Sequence, residues 1–174
     1  MQSFKIIKPI HILTPYVRYY WILEDGADVS VSERTLPTGC IQLVFHRGKR
    51  LLLVGKKESQ PQAFICGQCL NFSDVMSAGK IEMITVVFQP YAARAILQLP
   101  LKFFYGELIA VDAIADLELS ILSRKVIEAD DHETCIRLIE QFLIHRLYRF
   151  EGYEYNLKRI SAVLHQINEQ AKTN

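Results

Sequence analysis

The hydrophobic period of this chain changes at Pro90, and that change restricts it to folds in which strands come first and helices follow. Ahead of Pro90, aromatic and β-branched residues alternate with polar ones between Gly, Pro and Asp punctuation, the pattern of half-buried strands. Over residues 16–24, Val17, Tyr19, Trp21 and Leu23 share one face, and Tyr16, Arg18, Tyr20 and Glu24 share the other. Residues 40–46 set Ile41, Leu43 and Phe45 against Cys40, Gln42, Val44 and His46, after which "HRGKR" turns the chain into "LLLVG" as a hairpin. With residues 62–69 and 81–88 the count reaches roughly six to eight short strands, the spacing of an antiparallel sandwich or barrel.

Beyond Pro90 the apolar residues recur at steps of three and four. "PYAARAIL" predicts a short helix opened by its proline and ended ahead of Pro100. A second helix is expected over 116–128, carrying Leu117, Ile121, Leu122 and Val126. Asp131 can cap a third, whose stripe holds Ile136, Ile139, Phe142, Leu143 and Leu147. The last segment, "NLKRISAVLHQINEQAKTN", places Leu157, Ile160, Leu164, Ile167 and Ala171 on one helical face. The expected class is therefore α+β, with the β-barrel or sandwich over 1–89 and helices over 90–150.

A chain of 174 residues, 50% hydrophobic and 22% charged, can bury a core and should form one domain. Its 20 Lys and Arg against 19 Asp and Glu leave a net charge of +1, too little to grip nucleic acid or an anionic membrane by field alone. If DNA is a partner, the grip lies elsewhere. The start, MQSFKIIKPIHIL, lacks a signal-peptide pattern, and no stretch reaches the roughly 18 apolar residues of a spanning helix. A cytoplasmic location with no membrane partner is expected.

Cys66 and Cys69 in "FICGQCLNF" have the spacing used by thiol redox enzymes and by half of a zinc site. The residues ahead of Cys66 predict an extended segment, in which positions three apart lie roughly 10 Å from each other on opposite faces, beyond the roughly 7 Å reach of a disulfide. A bulge at Gly67 would shorten that span. No second Cys-x-x-Cys or His-x(3–5)-His completes a metal site, and His11, His46, His132, His145 and His165 are scattered. Structural thiols are the expectation for Cys66 and Cys69, and Cys40, Cys66, Cys69 and Cys135 are all expected to be free thiols, with no metal and no cofactor.

The basic run "HRGKRLLLVGKK" reads as a solvated hairpin rather than a phosphate site. Asp112, Asp116 and Glu118 read as helix-start charges rather than paired catalytic carboxylates. No Gly-x-Ser-x-Gly elbow, phosphate loop or Gly-x-Gly-x-x-Gly stands in the chain, so no catalytic residue is assigned and the protein is not expected to be an enzyme.

Taken together, "PYVRYYW" at 15–21, "ERTLPTGCIQLVF" at 33–45, "VVFQPYAARAIL" at 86–97 and "LEL…RLIEQFLIHRL" over 117–147 resemble the N-terminal sensor domain of AraC-type transcriptional regulators, in order and across most of the chain. Thr38 stands where that family commonly has an acidic residue ahead of the glycine. The resemblance implies a cupin-like β-barrel, a helical segment for self-association and a DNA-reading pair of helix-turn-helix motifs further on. It implies a sensor domain over 1–152 and, at 153–174, a linker or first helix leading into a DNA-binding domain that this chain does not contain. The implied partners are a small-molecule effector, a second copy in a homodimer, and DNA only through the missing part.

For the effector site the expected residues are Tyr19 and Trp21, with Gln42 or His46 as polar handles if the opposite face lines the pocket; pattern alone leaves open which strand face is inward. For the dimer surface they are Ile136, Ile139, Leu143 and Leu147, a stripe that either the barrel or a second subunit covers. The alternative reading is a stand-alone cupin-like metal-dependent enzyme, or a module binding a carbohydrate or another small ligand.

Overall fold

The computed structural model describes residues 2–26, 32–35, 38–68, 71–77, 79–100, 105–106, 108–149 and 162. Six strands make the larger sheet: β1 (Gln2–Ile7), β2 (Val17–Asp25), β4 (Gln42–His46), β7 (Ala63–Cys66), β9 (Ile81–Phe88) and β10 (Leu108–Ala110). They lie in the order β1-β2-β9-β4-β7-β10, every ladder antiparallel. A smaller antiparallel sheet holds β3 (Ser32–Thr35), β5 (Leu52–Leu53), β6 (Glu58–Ser59) and β8 (Ser73–Met76) in the order β3-β8-β5-β6. Helices α1 (Ala93–Leu97), α2 (Leu117–Glu128) and α3 (His132–Tyr148) complete an α+β fold.

The larger sheet is the middle layer. Tyr20, Ile22, Leu43, Phe45, Ile65, Ile84 and Phe88 point to the helices and form one core with Ile96, Leu119, Val126, Ile139 and Leu143. Trp21, Leu23, Val44, Phe64 and Met83 point the other way and meet Leu51 and Val75 on the side of the small sheet. Central strands β4 and β9 are thus covered on both faces, which is why "QLVFH" and "IEMITVVF" read as apolar runs rather than clean alternations.

Several expectations need adjusting. The two sheets face each other without closing into a barrel: each ladder stays within its own sheet, and β5 and β6, two residues long apiece, are too short to seam the small sheet to the large one. Among the described residues nine strands precede Pro90, more than the six to eight expected, and β10 returns to the large sheet after α1. In β2 the register shifts between Val17 and Tyr19, and this bulge puts Val17 in the helix-side core with Tyr20 rather than beside Trp21. The apolar face expected over 157–171 lies outside the described residues.

The stripe expected at a dimer surface lies largely inside the chain's own fold. Ile136, Ile139 and Leu143 are buried in the chain's own core, and Leu147 packs against it. The chain's own core covers them, with α3 packed on α2 and α1, so a second subunit could meet α3 only through its outer residues.

Helix starts follow the local sequence. Asp116 accepts from the Leu119 amide at 3.0 Å and Asp131 from the Thr134 amide at 2.7 Å, each satisfying a donor that a first turn leaves open. The end of α2 is closed from outside the helix. Arg47, expected in a solvated hairpin, is instead partly buried, pairing with Glu82 at 2.6 Å and donating to the Val126 and Ala129 carbonyls at 2.9 and 2.7 Å. Lys49, Arg50, Lys56 and Lys57 of the same run are exposed as expected. No helix among the described residues is long and apolar enough to cross a membrane.

Candidate ligand site between the sheets

Because the small sheet covers only part of the large one, a cavity of about 430 Å³ opens between them. That is within the size range of small-molecule sites. The large sheet supplies Trp21 from β2, Gln42 and Val44 from β4, Phe64 and Cys66 from β7, Met83 from β9 and Leu108 from β10. The small sheet supplies Thr35, Leu53, Ser73 and Asp74, and flanking segments add Thr38, Cys40, Leu51, Lys56 and Gln60. An adjoining recess of about 390 Å³ shares Trp21 and Met83 and extends to Phe4, whose ring centroid lies 5.8 Å from that of Trp21.

The Thr38-Gly39 turn sets one polar edge. Gly39 has φ +66°, a conformation that a residue with a Cβ adopts reluctantly. There the Thr38 hydroxyl accepts from the Cys40 amide at 3.4 Å and from Gln42 Nε2 at 3.1 Å. The Gly39 carbonyl in turn accepts from Gln68 Nε2 at 3.1 Å. Leu36 and Pro37, just upstream, lie outside the described residues.

Of the four residues expected at the effector site, Trp21 and Gln42 line the cavity. His46 is fully buried behind the wall, its Nε2 2.9 Å from Oε1 of the lining residue Gln60 and its ring centroid 5.8 Å from that of Phe64. Burial pushes the His46 pKa down, outweighing the Gln60 hydrogen bond, so the ring is held uncharged. With Gln60 Oε1 as acceptor, the proton sits on Nε2; Nδ1 has no partner among the described residues. The Thr85 hydroxyl, buried between Trp21 and Val44 in the strand register, likewise has none. Tyr19 does not line the cavity; Arg18 stands 5.9 Å from its ring centre.

Sequence reasoning missed Phe64, Met83, Leu108 and Gln60. The first two were recoverable from alternation in β7 and β9, once the inward face was known. Leu108 and Gln60 carry no local signal, because only the pairing of β10 with β7 and the return of the chain after β6 bring them in.

Cys40 and Cys66 both lie on the cavity wall, and Cys69 is outside the described residues, so the predicted span between Cys66 and Cys69 belongs to a region not described. Cys135 is buried at the helix–sheet joint, beside Arg47 and the Val126 carbonyl. Among the described residues no three His, Cys, Asp or Glu side chains gather as metal ligands would.

Residues 5–110 match the model of a family described as a domain of unknown function, DUF6597. Every described cavity-lining residue falls within that stretch. No curated protein matches the chain.

Proposed function

From the premise that this chain belongs to the DUF6597 family, we propose that it is the effector-sensing domain of an AraC-type transcriptional regulator, not an enzyme. A small molecule binds between the sheets, and a DNA-binding domain outside this chain reads the outcome as a homodimer in the cytoplasm. The observation that carries this reading is the inter-sheet cavity: apolar at its base, edged by polar groups that include Lys56 and Asp74, and backed by a sheet whose other face holds the helices. A ligand that fits one arrangement of sheets and helices better than another shifts the balance between them in proportion to that difference.

A thermal-shift screen of small molecules tests it, with Trp21 emission as a second signal from inside the cavity. A ligand at about a hundred times its Kd should add about 2.7 kcal/mol of stability. Trp21→Ala should weaken the same ligand at least about tenfold, since it removes a large part of the wall. Undiminished binding by the variant would place the ligand elsewhere. In the complete regulator the same compound should change transcription from its operator.

A further inference from the structure

The charge distribution around the cavity narrows what can enter it. An ionised group moved out of water loses several kcal/mol of solvation unless an opposite charge meets it. Among the described lining residues the charged ones are Lys56 and Asp74, and both stand at the rim already engaged. Lys56 Nζ is exposed and 4.0 Å from Glu58. Asp74 is held by two bonds from Arg34, at 2.8 and 3.1 Å, and the Arg34 guanidinium lies 3.9 Å from the Phe72 ring centre. Arg18, outside the lining, donates toward Cys40 Sγ at 3.7 Å.

Further in, the polar groups are neutral. Gln60 is the most buried of them at 8% exposure, and His46 fixes the orientation of its amide by donating to Oε1. The Gln60 Nε2 group donates to no described residue, and Gln60 lines the cavity together with Trp21, Val44, Phe64 and Met83. We propose that the cavity selects an uncharged, largely apolar molecule bearing a hydrogen-bond acceptor, such as a carbonyl, for the Gln60 amide. This rests on the reading of the cavity as the ligand site.

The test uses one ring system in three charge states: methyl naphthoate, naphthoate and naphthylmethylammonium, titrated into the whole chain by calorimetry and by Trp21 quenching. The ester should bind saturably, at least about tenfold tighter than either ion. Gln60→Leu should raise the ester's Kd about tenfold, the loss of one buried hydrogen bond. Leu108→Trp, which fills the cavity, should abolish ester binding. Either ion binding as tightly as the ester, and lost in Leu108→Trp, overturns the charge selection while leaving the cavity as a ligand site. Ester binding unchanged in a folded Gln60→Leu overturns the role of the amide. If no probe binds, or if binding survives Leu108→Trp, the cavity reading falls and the inference with it.

Discussion

A methyl group has no room at Gly48: a Cβ built there would lie 2.6 Å from the Glu82 amide nitrogen and 2.8 Å from the Lys80 carbonyl oxygen, both backbone atoms. The hairpin after β4 therefore depends on close approach to the start of β9, where the Gly48 and Arg47 amides both donate to the Glu82 carbonyl. Gly48→Ala is expected to lose about 1–3 kcal/mol, read as a lower urea midpoint with an unchanged slope. At this scale the sequence was legible where chemistry is local. "HRGKR" announced a turn, and residue type marked Trp21 and Gln42 as candidates, although alternation left open which face is inward. For His46 the pattern left the inward face open, and whether it touches a ligand or supports a residue that does depends on Gln60, brought in by strand pairing.

Helices and strands differ in how far their own sequence determines them. The starts of α2 and α3 were readable because a capping aspartate acts within four residues. Asp116 does more than cap, since Arg146 near the end of α3 donates to both of its oxygens at 2.5 and 2.6 Å, tying the two helices together. Asp116→Ala should thus cost about 2–4 kcal/mol, the sum of a lost cap and a partly buried cation left without its nearest carboxylate. Asp116→Asn, which keeps the cap acceptor, should lose less, and chemical denaturation of the pair separates the two contributions. The β2 bulge was not readable. It arises in the register against β9, and nothing within residues 17–19 specifies it. The stripe on α3 was visible as apolar, yet periodicity cannot say whether the chain's own fold or a second subunit covers it; here Ile136, Ile139 and Leu143 lie in the chain's own core.

For the whole molecule, the α+β class and the mostly C-terminal placing of the helices followed from the change of period at Pro90, whereas the return of β10 after α1 and the absence of barrel closure depend on which edges meet and leave no trace in alternation. The two faces of the large sheet also set opposite limits on pH. On the cavity side, burial holds the His46 pKa below its ordinary 6.5, so the unfolded chain takes up the proton first. Stability on this account is full above about pH 6.5 and declines as pH falls below it. On the helix side, burial, reinforced by Glu140 3.3 Å from the hydroxyl, raises the Tyr20 pKa far above its ordinary 10.0. That contribution is full below about pH 10 and is lost as pH rises beyond it. Unfolding free energies measured across pH should therefore form a plateau between those limits. His46→Phe should flatten the decline just below pH 6.5, and Tyr20→Phe the decline above pH 10; unchanged limbs in both variants would remove these two groups as the cause.

Strand β4 alternates its allegiance residue by residue, Val44 toward the cavity and Phe45 toward α2 and its neighbours. The sheet is thus a partition one polypeptide thick, with no linker or hinge between its two sides. Whatever displaces the backbone of this wall from one room is felt in the other within a single peptide unit, and its stiffness sets how much of a small push arrives.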